Sequence, residues 1–259
     1  MQNVLNVYKP KGMTPLEVIE KLRITYPELK DKKISYAGRL DPLAHGVLLL
    51  VIGEETKQKE KYLALPKTYE FEMIFGLETD TYDILGYLKS IETKQIPRNV
   101  NLFVNRFVNS LLGTHLQPYP PYSSKAVNGK PLFWWAKNNK LNELTIPKHR
   151  IEIFDFNVLS MDVMVTEKFE KEIKSEIALI TGDFRQKIIL DRWQKFFSQK
   201  DIKKQLPTAK FRISCSSGTY VRGLAQQLGK ELGCGGVAID ILRTGVGEYV
   251  LKDAMPLKF

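Results

Sequence analysis

The sequence is poor in the residues that build metal centres and disulfide networks. It contains two cysteines, Cys215 and Cys234, and three histidines, His45, His115 and His149. Cysteines this few and this far apart fit neither a zinc knuckle nor a disulfide framework, and the histidines follow no metal-ligand spacing. We therefore expect a protein without a bound metal, in a compartment where both thiols stay reduced.

Long apolar runs are missing as well. Met1 to Pro10 lacks the continuous apolar segment of a signal peptide, and no run approaches the roughly 18 apolar residues of a membrane span. These absences predict a cytoplasmic protein with no membrane partner. The chain also has no internal repeat and no Ser/Thr/Gly-rich linker, so residues 1–259 are expected to form a single domain with a full core.

Acidic residues are fewer than basic ones. The chain has 39 Lys+Arg against 29 Asp+Glu, which gives a formal net charge of +10. Such an excess favours a polyanionic partner, with nucleic acid ahead of an anionic membrane. Because a solvated, Lys-rich surface produces the same excess, the class of partner has to be identified from motifs.

The residues around Asp41 combine a carboxylate with neighbours that restrict its backbone. Pro42 keeps Asp41 out of helical dihedral angles, and Gly38 and Gly46 allow tight turns or the close approach of another segment. The apolar run at 47–52 then predicts a buried strand. On pattern alone, an ordinary Asp-Pro turn explains these residues at least as well as a functional carboxylate held at the start of a core strand.

Elsewhere, hydrophobic periodicity predicts strands and helices along the whole chain. The predicted strands lie at 4–8, 47–52, 67–76, 151–165 and 210–216 and again from 242, and the predicted helices at 15–26, 56–65, 101–112, 166–180, 184–198 and 220–232. Thr14, Pro15 and Glu17 fit a capping box at the start of the first helix. The apolar stripes that are expected to face the core include Leu16, Leu102, Phe103, Leu112 and Ile188.

Two segments differ from this pattern. Residues 115–137 are rich in proline, aromatic residues and lysine, and we predict that they form a projecting arm that stacks on bases and touches phosphates. A loop packed on its own domain is the alternative. Residues 166–206 are predicted to be a helical insertion that packs against the rest without chemistry of its own.

Two charged residues also stand out. Arg222 lies in the first turn of a predicted helix, where the macrodipole disfavours a cation by about 0.3–1 kcal/mol. That placement indicates a fixed anionic partner, although exposed arginines also occur at such positions. Asp83 follows a polar turn, and we interpret its carboxylate as a cap for local backbone amides.

Five separated blocks of the chain match the motifs of one family in that family's order and over nearly the whole length. They are Lys9-Pro10-x-Gly12-x-Thr14, Gly38-Arg39-Leu40-Asp41-Pro42-Leu43-Ala44-x-Gly46, Lys67-x-Tyr69 with Thr79-Asp80-Thr81-x-Asp83, Pro120-Pro121-Tyr122-Ser123 with Gly129-Lys130, and Cys215-Ser216-x-Gly218-Thr219-Tyr220-x-Arg222 leading to Leu242-Arg243-Thr244. The chain resembles the TruB-type tRNA pseudouridine synthases. The block around Asp41 is highly specific, and the others are strong in combination.

The resemblance implies an α+β, pseudouridine-synthase fold, in which a mixed, largely antiparallel sheet is flanked by helices and carries the arm and the helical insertion. It also implies isomerisation of a uridine in the T-arm of tRNA, position 55 in tRNA numbering, to pseudouridine. The base leaves its sugar, rotates and rejoins within one site, so no cofactor is implied. We expect the protein to act on tRNA as a monomer.

The family pattern also implies roles for individual residues. Asp41 is the catalytic carboxylate, acting either as a nucleophile on C1′ or as a base on a sugar proton. Tyr69 stacks against the target base and assists proton transfer, and Arg222 pairs with Asp41 and keeps it ionised. The implied RNA contacts are Lys9, Tyr36, Arg39, Tyr122, Lys125, Lys130, Tyr220 and Arg243. The implied structural supports are Pro10, Gly38, Pro42, Asp83 and Leu242.

The chain departs from the family pattern in three places. Tyr36 stands where many members have a histidine that helps to hold the flipped-out RNA, and Lys125 comes one place earlier than the usual lysine of the arm. The sequence ends at Phe259, so we expect no C-terminal RNA-binding (PUA) domain. Altered selection of tRNA is therefore expected.

Three other functions remain open from the sequence. The protein could bind or fold RNA without catalysis, or it could be a pseudouridine synthase that acts on another RNA. It could also hydrolyse a glycosidic bond with a pair of carboxylates, for which Asp80 and Asp83 are the available second acids. An intact set of Asp41, Tyr69 and Arg222 favours the isomerase.

Overall fold

The computed structural model describes residues 3–91, 100–200 and 202–257. The strands are β1 Val4–Lys9, β2 Ile34–Ala37, β3 His45–Ile52, β4 Lys67–Phe75, β5 Leu77–Thr79, β6 Leu88–Ile91, β7 Gly113–Pro118, β8 Ala126–Val127, β9 Lys130–Pro131, β10 Lys148–Val165, β11 Gln205–Cys215, β12 Gly236–Val246 and β13 Tyr249–Val250. The α-helices are α1 Pro15–Thr25, α2 Lys59–Ala64, α3 Val100–Ser110, α4 Leu132–Lys137, α5 Thr166–Ala178, α6 Gln186–Phe197 and α7 Val221–Glu231. Within these ranges, no helix has both the length and the apolar character needed to cross a bilayer.

Nine strands form one sheet. Its order is β1-β3-β12-β4-β11-β10-β7, with β2 also paired to β3 and β13 to β12. Among the strand pairs of the described residues, β3 and β12 run parallel and the other pairs of this sheet are antiparallel. The predicted architecture, a mixed and largely antiparallel sheet flanked by helices, is therefore confirmed.

Alternation along the central strands decides which helices cover which face. In β4, Phe71, Met73 and Phe75 pack with α3 and α7 on one side, whereas Ile74 packs with α5 and α6 on the other. Successive side chains of a strand point to opposite faces, so a continuous apolar run is suited to a strand covered on both sides. The buried run of β3 behaves in the same way, since Leu48 packs with α1.

Several helix starts were predicted correctly, but some helix faces were not. Thr14 and Glu17 form the predicted capping box at the start of α1, with Thr14 Oγ1 accepting from Glu17 N and Glu17 accepting from Thr14 N. The five residues expected to face the core that are instead exposed are Leu16, Leu102, Phe103, Leu112 and Ile188. Neighbouring Val18, Val104 and Ile189 are buried, because each helix offers more apolar residues than one face can cover.

The predicted arm begins later than the sequence indicated. Residues 113–118 form β7, which pairs antiparallel with β10 at the edge of the sheet, so the part of the prediction from 115 to 118 was wrong. An edge strand tolerates Pro118 because one side of it makes no ladder hydrogen bonds. Beyond β7, β8 and β9 form a short hairpin whose turn contains Asn128 and Gly129 at positive φ, and α4 follows.

The helical insertion interrupts a hairpin. β10 and β11 pair directly up to Val165 and Gln205, and α5 and α6 lie between these two residues. Leu206 belongs to β11, so the insertion ends two residues earlier than predicted, and Asp201 lies outside the described residues. Phe169 of α5 packs edge-on against Trp193 of α6, which joins the two helices into one unit.

Gly46 allows the parallel pairing of β3 with β12. It lies opposite Arg243 in the β3–β12 register, and a Cβ added to it would lie 2.2 Å from the Arg243 carbonyl oxygen. We expect Gly46→Ala to lower the free energy of unfolding by about 3 kcal/mol, because the strands must separate. Urea unfolding at pH 7 measures this loss.

Gly53→Ala is the matched control. Gly53 also has a positive φ, but a Cβ there meets nothing within 4 Å. The free energy of unfolding of this variant should fall by only about 1 kcal/mol, which is the cost of a positive φ at a residue with a Cβ. Equal losses at the two positions would show that close approach of the strands is not what requires Gly46.

Candidate active site

Asp41 lies in the loop between β2 and β3, and a buried lysine holds that loop from one side. Lys9 Nζ donates to the carbonyl oxygens of Pro42 at 3.0 Å and Ala44 at 2.6 Å, and to that of Pro10 at 2.9 Å. Lys9 has no exposed surface. Burial lowers the pKa of its ammonium to about 7, against the opposing effect of Asp41. Its donors serve the loop, so the contact of Lys9 with RNA stays a prediction that this burial does not support.

A buried arginine holds the other side of the same loop. Arg243 donates from Nε to Val47 O at 2.7 Å, from Nη2 to Gly38 O at 3.1 Å and from Nη1 to Arg39 O at 3.5 Å. It is 1% exposed and lines the cavity that Asp41 faces, so its contact with RNA stays a prediction. Unpaired carbonyls in a buried loop are costly, and the three donors of Arg243 fix the backbone that leads to Asp41.

Arg222, in the first turn of α7, reaches Asp41 across the site. Its Nε lies 2.8 Å from Asp41 Oδ2, while Nη1 donates to Thr81 O at 2.5 Å and Nη2 to Tyr122 O at 3.0 Å. The Arg222 side chain is 3% exposed and that of Asp41 35%. The expected ion pair is present, and it leaves the carboxylate open to a ligand. The catalytic roles of the two residues stay predictions.

Asp83 is a second carboxylate beside the same guanidinium. Its Oδ2 lies 3.9 Å from Arg222 Nε, and its Oδ1 accepts from Leu85 N at 3.1 Å and Thr81 Oγ1 at 2.6 Å. The interpretation of Asp83 as a local cap is therefore confirmed. Burial raises the pKa of its carboxyl to about 6, with Arg222 opposing the rise and Asp41 adding to it.

Tyr69 and Lys67 project from β4 into the same region. Tyr69 is buried, and burial raises the pKa of its phenol, partly offset by Arg243. Lys67 Nζ donates to Leu63 O at 2.5 Å, to Leu65 O at 2.7 Å and to Ser217 Oγ at 3.1 Å. Burial lowers the pKa of Lys67 to about 8. Lys67 was not among the residues for which the sequence implied a role.

These side chains surround one cavity of about 550 Å³. Asp41, Tyr69 and Arg222 all line it, and volumes of 300–1,000 Å³ are typical of small-molecule sites in proteins. The cavity is therefore large enough for a nucleoside. Among the described residues, no group of three His, Cys, Asp or Glu side chains is placed to hold a metal ion.

The family model for TruB family pseudouridylate synthase (N-terminal domain) matches residues 27–181. The chain belongs to the TruB family. It is 31% identical over 258 residues to tRNA pseudouridine synthase B of Aquifex aeolicus (strain VF5), covering 100% of this chain and 73% of that protein. It is 33% identical over 256 residues to tRNA pseudouridine synthase B of Bacillus cereus (strain ATCC 14579), covering 98% and 69%.

A solved structure shares the TruB-family fold. The chain superposes on a chain of the crystal structure of a Cbf5–Nop10–Gar1 complex with a TM-score of 0.58 and 18% sequence identity. The match covers 98% of this chain and 52% of the other. At this identity the similarity establishes the fold, and it confirms the fold expected from the sequence resemblance.

The RNA contacts implied by the TruB resemblance separate into two groups. Arg39, Tyr122, Tyr220 and Arg243 line the cavity. Arg39 Nη1 also donates to Ser124 Oγ at 2.9 Å, which links the Asp41 loop to the arm. The residues outside the cavity lining are Tyr36, Lys125 and Lys130. The two lysines are exposed on the arm, and Lys130 Nζ lies 3.5 Å from the Trp134 ring centroid.

Tyr36 differs from what its position suggested. Its ring packs against the cluster that contains Leu48 and α1, with Lys59 Nζ 5.2 Å from its centroid. Tyr36 is therefore not among the residues that line the cavity. Its contact with RNA stays a prediction that the cavity does not support.

The helical insertion contributes to the cavity of this TruB-family protein, contrary to the prediction that it only packs. Phe184 and Arg185, in the turn between α5 and α6, are among the lining residues. Arg185 Nη1 lies 2.6 Å from Asp80 Oδ2. Nothing in the sequence indicated this contact, because residues 105 positions apart share no periodic pattern.

The raised pKa of Asp83 gives a pH prediction for stability. The ordinary pKa of this group is 3.8 and its folded value is about 6, so the folded protein holds the proton more tightly than the unfolded chain. The stability contributed by that proton is present at low pH and is lost as pH rises through 6. We expect the advantage of the wild type over Asp83→Asn to fall by about 2 kcal/mol between pH 4.5 and pH 7.

Urea unfolding of both proteins at the two pH values measures this difference. Because asparagine does not titrate, the ionisable groups that do not interact with Asp83 contribute equally to the two proteins and cancel in the comparison. A constant difference between wild type and variant across this range would mean that the Asp83 carboxyl is ionised in the fold at pH 4.5.

Proposed function

We propose that this protein isomerises the uridine of the tRNA T-arm, position 55 in tRNA numbering, to pseudouridine. The observation that carries the proposal is the ion pair between Asp41 and Arg222, which lie 2.8 Å apart at the wall of a nucleoside-sized cavity. The carboxylate is partly exposed whereas the arginine is buried. An ionised, accessible carboxylate is what attack on a sugar or removal of a sugar proton requires.

The reaction needs the uridine outside the RNA stack. Flipping the nucleotide costs a few kcal/mol, and the cavity then receives the base beside Tyr69. Asp41 acts on the sugar, either by attacking C1′ or by removing a sugar proton, and the bond from C1′ to N1 breaks. The uracil rotates and C5 bonds to C1′, while the bond from Asp41 to C1′ breaks or, in the other route, Asp41 returns the proton to the sugar. The C5 proton is released and N1 gains one. Atoms balance without an oxidant, reductant or cofactor.

Contacts to the RNA backbone are proposed for the arm and the basic surface. Lys125 and Lys130 are exposed there, and Arg39 connects the arm to the Asp41 loop. Lysine and arginine contacts to phosphates supply much of the affinity for RNA and weaken as salt rises. We propose that these three residues bind the T-arm backbone, and that Tyr122 and Tyr220 contact the flipped nucleotide inside the cavity.

The substrate and the setting of the reaction are also part of the proposal. The relatives from Aquifex aeolicus and Bacillus cereus are both called tRNA pseudouridine synthase B, which supports tRNA as the substrate. We propose that the protein acts in the cytoplasm as a monomeric single catalytic domain. Its two cysteines are buried free thiols, which is compatible with a reducing compartment.

Transcribed tRNA, with and without the T-arm uridine, tests the proposal. Tritium release from 5-labelled uridine reports the new C–C bond, and mapping of pseudouridine reports its position. We expect release from the complete tRNA and none when that uridine is replaced. Release from both transcripts would place the activity on another uridine.

Two other results would overturn the proposal. Tight RNA binding without tritium release would support a non-catalytic RNA-binding protein. Free uracil in the supernatant would support a hydrolase that uses two carboxylates.

A further inference from the structure

The turn between α5 and α6 is held in one conformation by its own hydrogen bonds. Gln186 Nε2 donates to Ile180 O at 3.1 Å and to Gly182 O at 2.8 Å, and its Oε1 accepts from Phe184 N at 3.0 Å. Arg185 itself has a φ of +65°, a region that non-glycine residues seldom occupy. Such residues persist where the surrounding structure fixes them, so the direction of the Arg185 side chain is set by this turn.

Arg185 binds two segments that both hold Arg222. Its Nη1 lies 2.6 Å from Asp80 Oδ2, and its guanidinium carbon lies 4.3 Å from the centroid of the Tyr122 ring. Asp80 directly precedes Thr81, and the carbonyls of Thr81 and Tyr122 are the two that accept from Arg222. Arg185 and Arg222 therefore both bind the same two segments, the one at Asp80–Thr81 and the one at Tyr122.

We propose that Arg185 is a positioning residue for the catalytic pair. It fixes the turn at Asp80 and the ring of Tyr122, and through their carbonyls it aims Arg222 at Asp41. The inference rests on the proposed function, because it assigns the helical insertion a part in the isomerase reaction. In this role the insertion determines the rate of the chemical step and leaves RNA affinity unchanged.

The charges around Arg185 favour positioning over a direct RNA contact. Its guanidinium is engaged by Asp80, whose side chain is 5% exposed, and is itself only 17% exposed. A cation already neutralised by a buried carboxylate attracts phosphate weakly. The carboxylate's other oxygen, Oδ1, accepts from Tyr87 N at 3.0 Å, so Asp80 cannot turn away to release the arginine.

The insertion also touches the support of Asp41 itself. A Cβ on Gly12 would lie 2.7 Å from the Leu179 carbonyl oxygen at the end of α5, and Lys11 Nζ lies 2.6 Å from Glu176 Oε1. Gly12 N donates to Pro42 O at 3.0 Å, next to Asp41. The insertion thus braces the loop that carries the carboxylate as well as the segments that hold Arg222.

Kinetics of Arg185→Met test the inference. We expect kcat to fall about 30-fold with KM and RNA affinity within twofold of wild type, because an interaction that acts on the reacting geometry alone lowers kcat. Arg185→Lys, which keeps the charge, should recover part of the loss. The matched control is Arg192→Met, on the exposed side of α6, which should behave like wild type.

A double variant separates positioning from independent action. If Arg185 works through Arg222, adding Arg185→Met to Arg222→Ala should cause little further loss of single-turnover rate, whereas independent effects would multiply. The double variant Asp80→Asn/Arg185→Met has no buried unpaired carboxylate, so it should fold. Its single-turnover rate should still be low. A rise in KM at unchanged kcat would overturn the inference in favour of an RNA contact, and so would full activity of Arg185→Met.

A measurement without substrate decides the inference even if the proposed reaction fails. In protein labelled with carbon-13 in its aspartate carboxyls, the Asp41 resonance should shift in Arg185→Met and stay in place in Arg192→Met. An unchanged Asp41 resonance in Arg185→Met would overturn the inference. If the Asp41 resonance shifts in Arg185→Met as expected but the wild-type protein forms no pseudouridine, only the proposed function would be overturned.

Discussion

Asp41→Asn is expected to abolish pseudouridine formation while RNA binding survives. Asparagine has nearly the same shape, but its amide neither attacks a sugar carbon nor accepts a proton at neutral pH. We expect the single-turnover rate to fall by on the order of 10⁴-fold or more. The loop should keep its conformation, because Lys9 and Arg243 hold it through backbone carbonyls and not through the Asp41 side chain.

Two measurements on one tRNA transcript check this expectation. Tritium release at saturating enzyme gives the rate, and filter binding gives the dissociation constant. Asp31→Asn makes the same change of charge at an exposed position and should leave both values near those of wild type. More than about 1% residual activity in Asp41→Asn, on the 10⁴-fold scale above, would remove Asp41 from the reaction.

Arg222→Ala is expected to have the next largest effect, a loss of about 10³-fold in kcat. The variant removes the cation that neutralises Asp41 and leaves Asp83 near it without compensation, since both carboxylates lie within 4 Å of the same Nε. It also leaves the carbonyls of Thr81 and Tyr122 without their donor. Breaking such a buried arrangement weakens the fold as well as the site.

Arg222→Lys separates the effect of charge from that of geometry. One ammonium keeps the positive charge but cannot serve a carboxylate and two carbonyls in the planar arrangement of a guanidinium. We expect its kcat to lie between those of Arg222→Ala and wild type, with a thermal unfolding midpoint close to wild type. If Arg222→Ala stayed folded and kept kcat within tenfold of wild type, the ion pair would have no part in catalysis.

The sequence was most informative where local rules decide the structure. Alternation predicted β4, the apolar run predicted β3, and the capping box fixed the start of α1. The contact between Asp41 and Arg222 is different, because these residues are 181 positions apart and periodicity says nothing about such pairs. The family resemblance supplied that expectation.

Other differences from the expectations have tertiary causes. The family pattern implied that Lys9 and Arg243 contact RNA, whereas in the fold each of these side chains donates to three backbone carbonyls, although lysine and arginine are seldom fully buried unless paired. Tyr36 occupies the expected sequence position, but its ring turns to the α1 side of the sheet. Arg185 was missed because its partners, Asp80 and Tyr122, meet it only after the insertion folds back on the sheet.

The place of β12 between β3 and β4 has a consequence for biosynthesis. This strand lies inside the sheet although it begins at Gly236, so the ribosome finishes it after β1 to β11. Until then β3 and β4 have open edges, and the loop that carries Asp41 lacks the guanidinium of Arg243. Contacts this distant in sequence form slowly, and a nascent chain brings Arg243 to the Asp41 loop only after β12 has been made.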